Sequence, residues 1–243
     1  MNTVEIFGFN VYDDKLPEIS SRYQKYKISI NTISPNSFTI TRKDLEFKKA
    51  LENTDVLVLD GLYFGLAPLL LKGKRVKKIS GTDCFYHFLD RANKIKGRVF
   101  FLGSGIDTLE KIEKRSKTEY PSINTAVYSP PFKDVFSTED NEKMINAINK
   151  FKPDILFVAM TAPKQEKWAY FNKEKVDAKI ICTVGNVFDW YAGNQKQPEK
   201  IWVKLGLEWF IRTIRRPEIL KRYPNVLYFF WILFLNIIRV RKD

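Results

Sequence analysis

The sequence predicts an α/β fold: a Rossmann-like, largely parallel sheet flanked by helices, with a helical, basic appendage at the C-terminus. Three features predict it. Short apolar runs rich in β-branched and aromatic residues alternate with segments of helical spacing, which is the pattern of βαβ units. The runs Val99-Phe100-Phe101-Leu102 and Ile155-Leu156-Phe157-Val158 are continuously apolar, as strands covered on both faces are. Four consecutive expected strand ends carry glycine, acids or amides, and such sheets collect their ligands at the carboxyl ends of their strands.

In chain order, the strands are expected at residues 4–9, 27–33, 55–59, 98–102, 154–159 and 179–184. Helices are expected around Leu45, Ala50 and Leu51, then around Phe85, Phe88, Leu89 and Ala92. Two more are expected around Met144, Ile145, Ile148 and Phe151 and around Trp168, Phe171 and Val176. The tail reads differently. Over residues 201–216 the polar residues Lys204, Glu208, Arg212 and Arg216 recur every four positions. Ile201, Trp202, Leu205, Trp209, Phe210 and Ile214 fill the wide remaining face, which predicts an amphipathic helix with i,i+4 charge pairs. Pro217 interrupts it. Residues 226–238 are apolar except Asn236 and end in Arg239-Val240-Arg241-Lys242. That run is short of the roughly 20 residues that span a bilayer. Its Trp, Phe and Leu content with a basic border reads as a helix lying in the interface of an anionic membrane. The chain thus divides into an α/β domain, residues 1–198, and a membrane-docking appendage, residues 199–243.

The 243 residues suffice for one large core or two small ones, and 44 % hydrophobic with 28 % charged residues excludes a disordered chain. The first residues show no basic start followed by an apolar run, so a cytosolic chain is expected. The net charge of +13 asks for an anionic partner. Residues 200–243 hold ten Lys or Arg against three acids, and three of the five tryptophans. Charge clustered with Trp and Phe at one end fits lipid better than a DNA-reading helix, so nucleic acid is not an expected partner. Cys84 and Cys182 have no metal-ligand spacing and read as buried free thiols in a reducing compartment. His87 is the single histidine, so a Ser-His-Asp site or a histidine-rich metal site would have to use it; an ordinary helical histidine is the simpler reading.

Gly103-Ser104-Gly105 ends a strand and opens a helix at Ile106, where backbone N–H groups can approach a phosphate. Thr108 stands where a dinucleotide fingerprint has its third glycine, which counts against a nicotinamide-dependent oxidoreductase or a nucleotide-sugar epimerase. Pro163-Lys164-Gln165-Glu166 reads as a helix start, either plain capping or with Gln165 on a uracil or ribose edge. Asp60-Gly61 follows an apolar run and reads as a turn or as a general base at a strand end. The chain has no Asp-x-Asp pair of the kind that holds a metal on a nucleotide-sugar diphosphate. Lys, Arg and backbone amides would then meet the departing charge.

Taken in order, these stretches resemble the WecG/TagA/CpsF glycosyltransferase family over about residues 30–223. The resemblance rests on Thr32, Asp60-Gly61, Gly81-Thr82-Asp83, Leu102-Gly103-Ser104-Gly105 and Tyr120-Pro121. It continues through Pro163-Lys164-Gln165-Glu166, Val184-Gly185-Asn186-Val187-Phe188-Asp189 with Ala192-Gly193, and Leu205-Gly206-Leu207-Glu208-Trp209. It implies an inverting, metal-independent hexosyltransferase of the cell envelope, with no cofactor beyond its substrates. The donor would be a UDP-activated amino sugar of the N-acetylmannosamine type, and the acceptor a polyprenyl-diphosphate-linked sugar. Surface polysaccharide or teichoic acid would be the product, and the enzyme would be peripheral on the cytoplasmic face of a bacterial inner membrane. An oligomer is compatible with this reading. By the same resemblance Asp60 is the base and Thr32 positions the reacting groups. Gly103, Ser104, Gly105, Gln165, Glu166, Gly185 and Asp189 line the UDP pocket, and Lys78 and Asp83 flank the donor sugar. Arg212 and Arg222 hold the acceptor diphosphate. The sequence departs from the family pattern at Ser34, where asparagine is usual, and at Ala159-Met160-Thr161-Ala162, Lys196-Gln197-Pro198 and Glu218-Ile219. Two readings compete with it: another nucleotide-binding enzyme, such as a nucleotide-sugar epimerase, and a basic, non-enzymatic membrane-binding protein.

Overall fold

A computed structural model describes residues 2–22, 26–61, 63–199, 201–202 and 207–240. Its centre is an eight-stranded sheet in the order β1-β2-β4-β3-β8-β7-β5-β6. The strands are β1 (Thr3–Ile6), β2 (Phe9–Tyr12), β3 (Ile28–Ile33), β4 (Val56–Leu59), β5 (Arg98–Gly103), β6 (Asn124–Tyr128), β7 (Ile155–Ala159) and β8 (Ile180–Thr183). Only β1 runs antiparallel to its neighbour. The predicted α/β class is therefore the observed one.

The single strand expected over residues 4–9 is instead the start of a hairpin. Phe7 and Gly8 both sit at positive φ, 55° and 87°, which is what a tight two-residue hairpin turn requires, and Ile6 pairs with Phe9. The edge strand β6 went unpredicted because its residues are half-exposed and lack a continuous apolar run.

The helices that position the site are α1 (Leu16–Arg22), α2 (Pro35–Thr41), α3 (Leu45–Glu52), α4 (Leu66–Lys72), α5 (Gly81–Lys94), α6 (Ile106–Glu119), α7 (Thr138–Phe151), α8 (Lys164–Asn172) and α9 (Val187–Tyr191). Strand residues alternate between two cores, as a period of two demands. Ile28, Ile30, Val56, Val58, Val99, Phe101, Ile155, Phe157 and Cys182 pack with α5 residues such as Phe85, Phe88 and Leu89. Phe100, Leu102, Leu156 and Val158 face Met144 and Ile148 of α7 and Trp168 of α8. Cys84 and Cys182 are buried free thiols, as expected. His87 lies half-buried on α5, and burial pushes its pKa down.

The tail does not form one helix over residues 201–216. Ile201 and Trp202 are helical, residues 203–206 (with Lys204 and the Leu205-Gly206 part of the family stretch) lie outside the described residues, and Leu207 is the N-cap of a new helix, α10 (Glu208–Arg215). The helix stops before Pro217, as expected; a 3₁₀ segment, Pro217–Arg222, follows and leads into α11 (Tyr223–Val240). No described helix is long and apolar enough to cross a membrane.

α11 has two faces. Phe229 and Leu233 are buried with Phe38 of α2, Phe64 and Ala67. Asn225 pins the helix start, its carbonyl accepting from Thr39 Oγ1 at 2.7 Å and its amide donating to Asn36 Oδ1 at 2.9 Å. Leu227, Trp231, Phe234 and Ile238, spaced four, three and four residues apart, form an exposed apolar stripe.

Candidate active site

The carboxyl ends of β3, β4, β5, β7 and β8 open into one cleft of about 2540 Å³, roofed on one side by α10 and the 3₁₀ segment. Asp60 follows β4. Its backbone N–H donates to the Ile33 carbonyl at 2.8 Å, extending the β3–β4 ladder, and Gly61 at φ +83° then turns the chain away. Thr32 stands one strand over, with Thr32 paired to Val58, so both predicted catalytic side chains line the same floor. Burial pushes the Asp60 pKa above the usual carboxylate range; Glu208 adds to this, while Lys78 and Arg212 oppose it.

At the end of β5, Gly103 has φ +112°, and a Cβ there would lie 2.2 Å from the Ala159 carbonyl oxygen. Gly103 is not among the lining residues. Its lack of a side chain lets β5 press against β7 and deliver Ser104 and Gly105, which do line the cleft. Gly105 is the N-cap of α6 and supplies no side-chain cap, so no side chain competes with a ligand for the helix's first N–H groups. Gly103→Ala is expected to cost about 2–3 kcal/mol and to weaken UDP binding together with stability, read by thermal melting and calorimetric titration.

Gln165 opens α8, and its side chain is largely committed inside the protein. Its Oε1 accepts from Gly185 N at 3.0 Å and from Met160 N at 3.2 Å, and its Nε2 donates to Glu166 Oε1 at 2.7 Å. The amide thus staples the ends of β7 and β8, which leaves one N–H of Gln165 for a ligand. Glu166 is buried, its Oε2 has no hydrogen-bond partner, and desolvation raises its pKa to about 7. Below that pH it is a neutral acid and adds no charge to the cleft floor.

Gly185 takes the left-handed conformation at φ +58°, and Asp189 on α9 is approached by the amides of Asn194 and Gln195 at 3.4 and 3.5 Å. Asp83 also lines the cleft, but its Oδ2 accepts from Ser80 N and Ser80 Oγ at 2.8 and 2.7 Å. Gly81-Thr82-Asp83 is therefore part of a capping box for α5, a Ser-x-x-Asp signal visible in the sequence.

The tail contributes three guanidinium groups. Arg212 lies 5.3 Å from the centre of the Trp190 ring. Arg216 donates to Asn186 Oδ1 at 2.8 Å and to Gln195 Oε1 at 3.0 Å. Arg222 lines the same wall; desolvation, with the cations of Arg212 and Arg216 beside it, lowers its pKa. Sequence reasoning missed the Arg216 network and the ion pair between Lys78 and Glu208, because the latter joins residues 130 positions apart. The i,i+4 pair of Glu208 with Arg212 was legible from spacing and is present at 3.6 Å.

The model of the glycosyl transferase WecG/TagA/CpsF family matches residues 4–243. Three curated relatives carry the name N-acetylglucosaminyldiphosphoundecaprenol N-acetyl-beta-D-mannosaminyltransferase. That of Bacillus subtilis (strain 168) is 29 % identical over 84 % of this chain and 77 % of its own length. That of Bacillus spizizenii is 25 % identical over 93 % of this chain and 88 % of its own. That of Staphylococcus aureus (strain MRSA252) is 27 % identical over 82 % and 78 %. The strand-end cleft and these matches agree: the chain belongs to the WecG/TagA/CpsF family of glycosyltransferases.

Proposed function

We propose that this glycosyltransferase moves an N-acetylmannosamine-type sugar from UDP to a polyprenyl-diphosphate-linked N-acetylglucosamine, with inversion and without a metal, in the synthesis of a cell-surface polymer. The observation that carries this reading is Asp60, a carboxyl group on the strand-end floor of the cleft that feels the charges of Lys78 and Arg212. In the proposed step the acceptor hydroxyl attacks the anomeric carbon while Asp60 takes its proton. The bond from that carbon to the UDP oxygen breaks, and UDP leaves with the electron pair. A single displacement needs one base and a well-held leaving group.

Thr32 orients the reacting hydroxyl. Ser104, Gly105, Gln165, Glu166, Gly185 and Asp189 form the UDP side, with Gly103 shaping it from behind. Lys78 and Asp83 flank the sugar, and Arg212 and Arg222 take the acceptor diphosphate. With a lipid-borne acceptor the enzyme works at the cytoplasmic face of the inner membrane, and the exposed apolar stripe of α11 supports attachment to a membrane.

The test is incubation with a panel of UDP-sugars and a polyprenyl-diphosphate-GlcNAc analogue, followed by mass spectrometry. One added N-acetylhexosamine, undiminished by EDTA, is expected. Loss of activity in EDTA with rescue by Mn²⁺ would refute the metal-free step. Absence of product from every donor would refute the transfer.

A further inference from the structure

The first residue of α10 is an acid placed between two cations. Glu208 Oε2 lies 3.2 Å from Lys78 Nζ, and Glu208 Oε1 lies 3.6 Å from Arg212 Nη1. The three side chains line the cleft, and Glu208, Lys78 and Arg212 are 26 %, 28 % and 30 % exposed, so water and incoming anions can reach them. Lys78 belongs to the segment before α5, and Arg212 to α10, so the two cations come from different elements. Asp60 feels the charges of all three groups.

Two cations that converge on one point make a receptor for a polyanion, and a diphosphate offers oxygens to both at once. A carboxylate of the chain itself, Glu208, fills that point. A partly exposed ion pair is a weak bond, worth at most about 1 kcal/mol, and a diphosphate with more charge and more acceptor oxygens outcompetes it.

We propose that Glu208 is an internal stand-in for a substrate diphosphate: it holds Lys78 and Arg212 by ion pairs that a diphosphate displaces, so that both cations pass to the substrate. The inference rests on reading the cleft as the transfer site. It makes Glu208 a positioning residue, which competes for the two cations and opposes binding. A plain tether of α10 would have the opposite effect, since loosening a wall that supplies a cation weakens diphosphate binding.

The experiment is calorimetric titration of the full chain with UDP and, separately, with geranyl diphosphate, for wild type, Glu208→Gln and Glu208→Asp. Glu208→Gln is expected to tighten one or both ligands by about three- to tenfold. Tightening confined to UDP identifies the donor's diphosphate as the displacing group, and tightening confined to geranyl diphosphate identifies the acceptor's. Glu208→Asp keeps the charge but withdraws it by one methylene. A smaller tightening in the same direction is expected, so this variant decides the matter should the glutamine variant fail to fold.

Glu52→Gln is the control for general charge. Glu52 pairs with Lys48 at 3.5 Å, and both lie outside the cleft lining. A change within about twofold is expected there. Weakened or unchanged binding of both ligands in the Glu208 variants, or equal tightening in Glu52→Gln, would overturn the proposal. Sugar transfer by the same wild-type preparation tests the transfer reading separately. A wild type that transfers sugar while the Glu208 variants bind no tighter refutes this inference alone.

Discussion

Asp60→Asn is expected to lower kcat for sugar transfer by about 10³-fold while leaving UDP affinity within about twofold. The asparagine keeps the shape and cannot take the acceptor proton. The pH profile follows from the same environment. Desolvation is the largest influence on Asp60 and pushes its pKa up, with the nearby Glu208 adding to it. A base acts only when ionised, so wild-type kcat/KM should fall as pH is lowered through a value above the roughly 3.9 of a free aspartate. Stability runs the other way. A carboxyl group whose folded pKa is raised favours the folded state when protonated, and that contribution is lost as pH rises through the folded pKa. At neutral pH the ionised Asp60 therefore costs stability that a neutral amide in its place does not. The inactive variant should melt no lower than wild type, and its advantage over wild type should be larger at pH 8 than at pH 5. A variant that is inactive because it is unfolded, or one that retains most of its kcat, would remove Asp60 from the base role.

The strands that position Asp60 were legible because they are continuous apolar runs, and a buried parallel strand has few other compositions open to it. Asp60, Gly105 and Gly185 were legible as cleft-lining positions for a related reason: such sheets open their clefts at the carboxyl ends of their strands. What escaped the sequence was pairing at a distance. Nothing near Gln165 says that its carbonyl oxygen closes the gap between Met160 and Gly185, and nothing near Lys78 points to Glu208. Gly103 looked like a ligand-binding glycine, yet the φ of +112° and the Ala159 carbonyl are tertiary facts that give it a packing role. The helix at residues 223–240 was legible as apolar, but periodicity alone could not divide its residues between a buried face and an exposed stripe, because both are built from the same apolar side chains.

That division makes the second large prediction. Phe229 is fully buried and stacks on Phe64 at 5.2 Å, with Phe38 edge-on at 5.7 Å and Phe7 at 6.2 Å. Phe229→Ala should cost about 3–5 kcal/mol and lower Tm by about 10 °C, since a ring-sized cavity among three aromatic neighbours cannot collapse. Trp231 and Phe234, two and five positions on, are 56 % and 53 % exposed and touch each other instead, with ring centres 6.1 Å apart. Changing both to Ser should move stability by only a few tenths of a kcal/mol, and should sharply reduce sedimentation with anionic vesicles. Removing residues 226–243 would combine the two effects. It takes away the exposed apolar stripe and uncovers Phe38 and Phe64, so weakened UDP binding after that truncation would report a damaged core rather than a tail residue in the donor pocket. The paired point variants separate these causes. If Phe229→Ala and the Trp231/Phe234 change both reduced vesicle binding without lowering Tm, α11 would be docked on lipid alone, and its packing against α2 would not be the arrangement in solution.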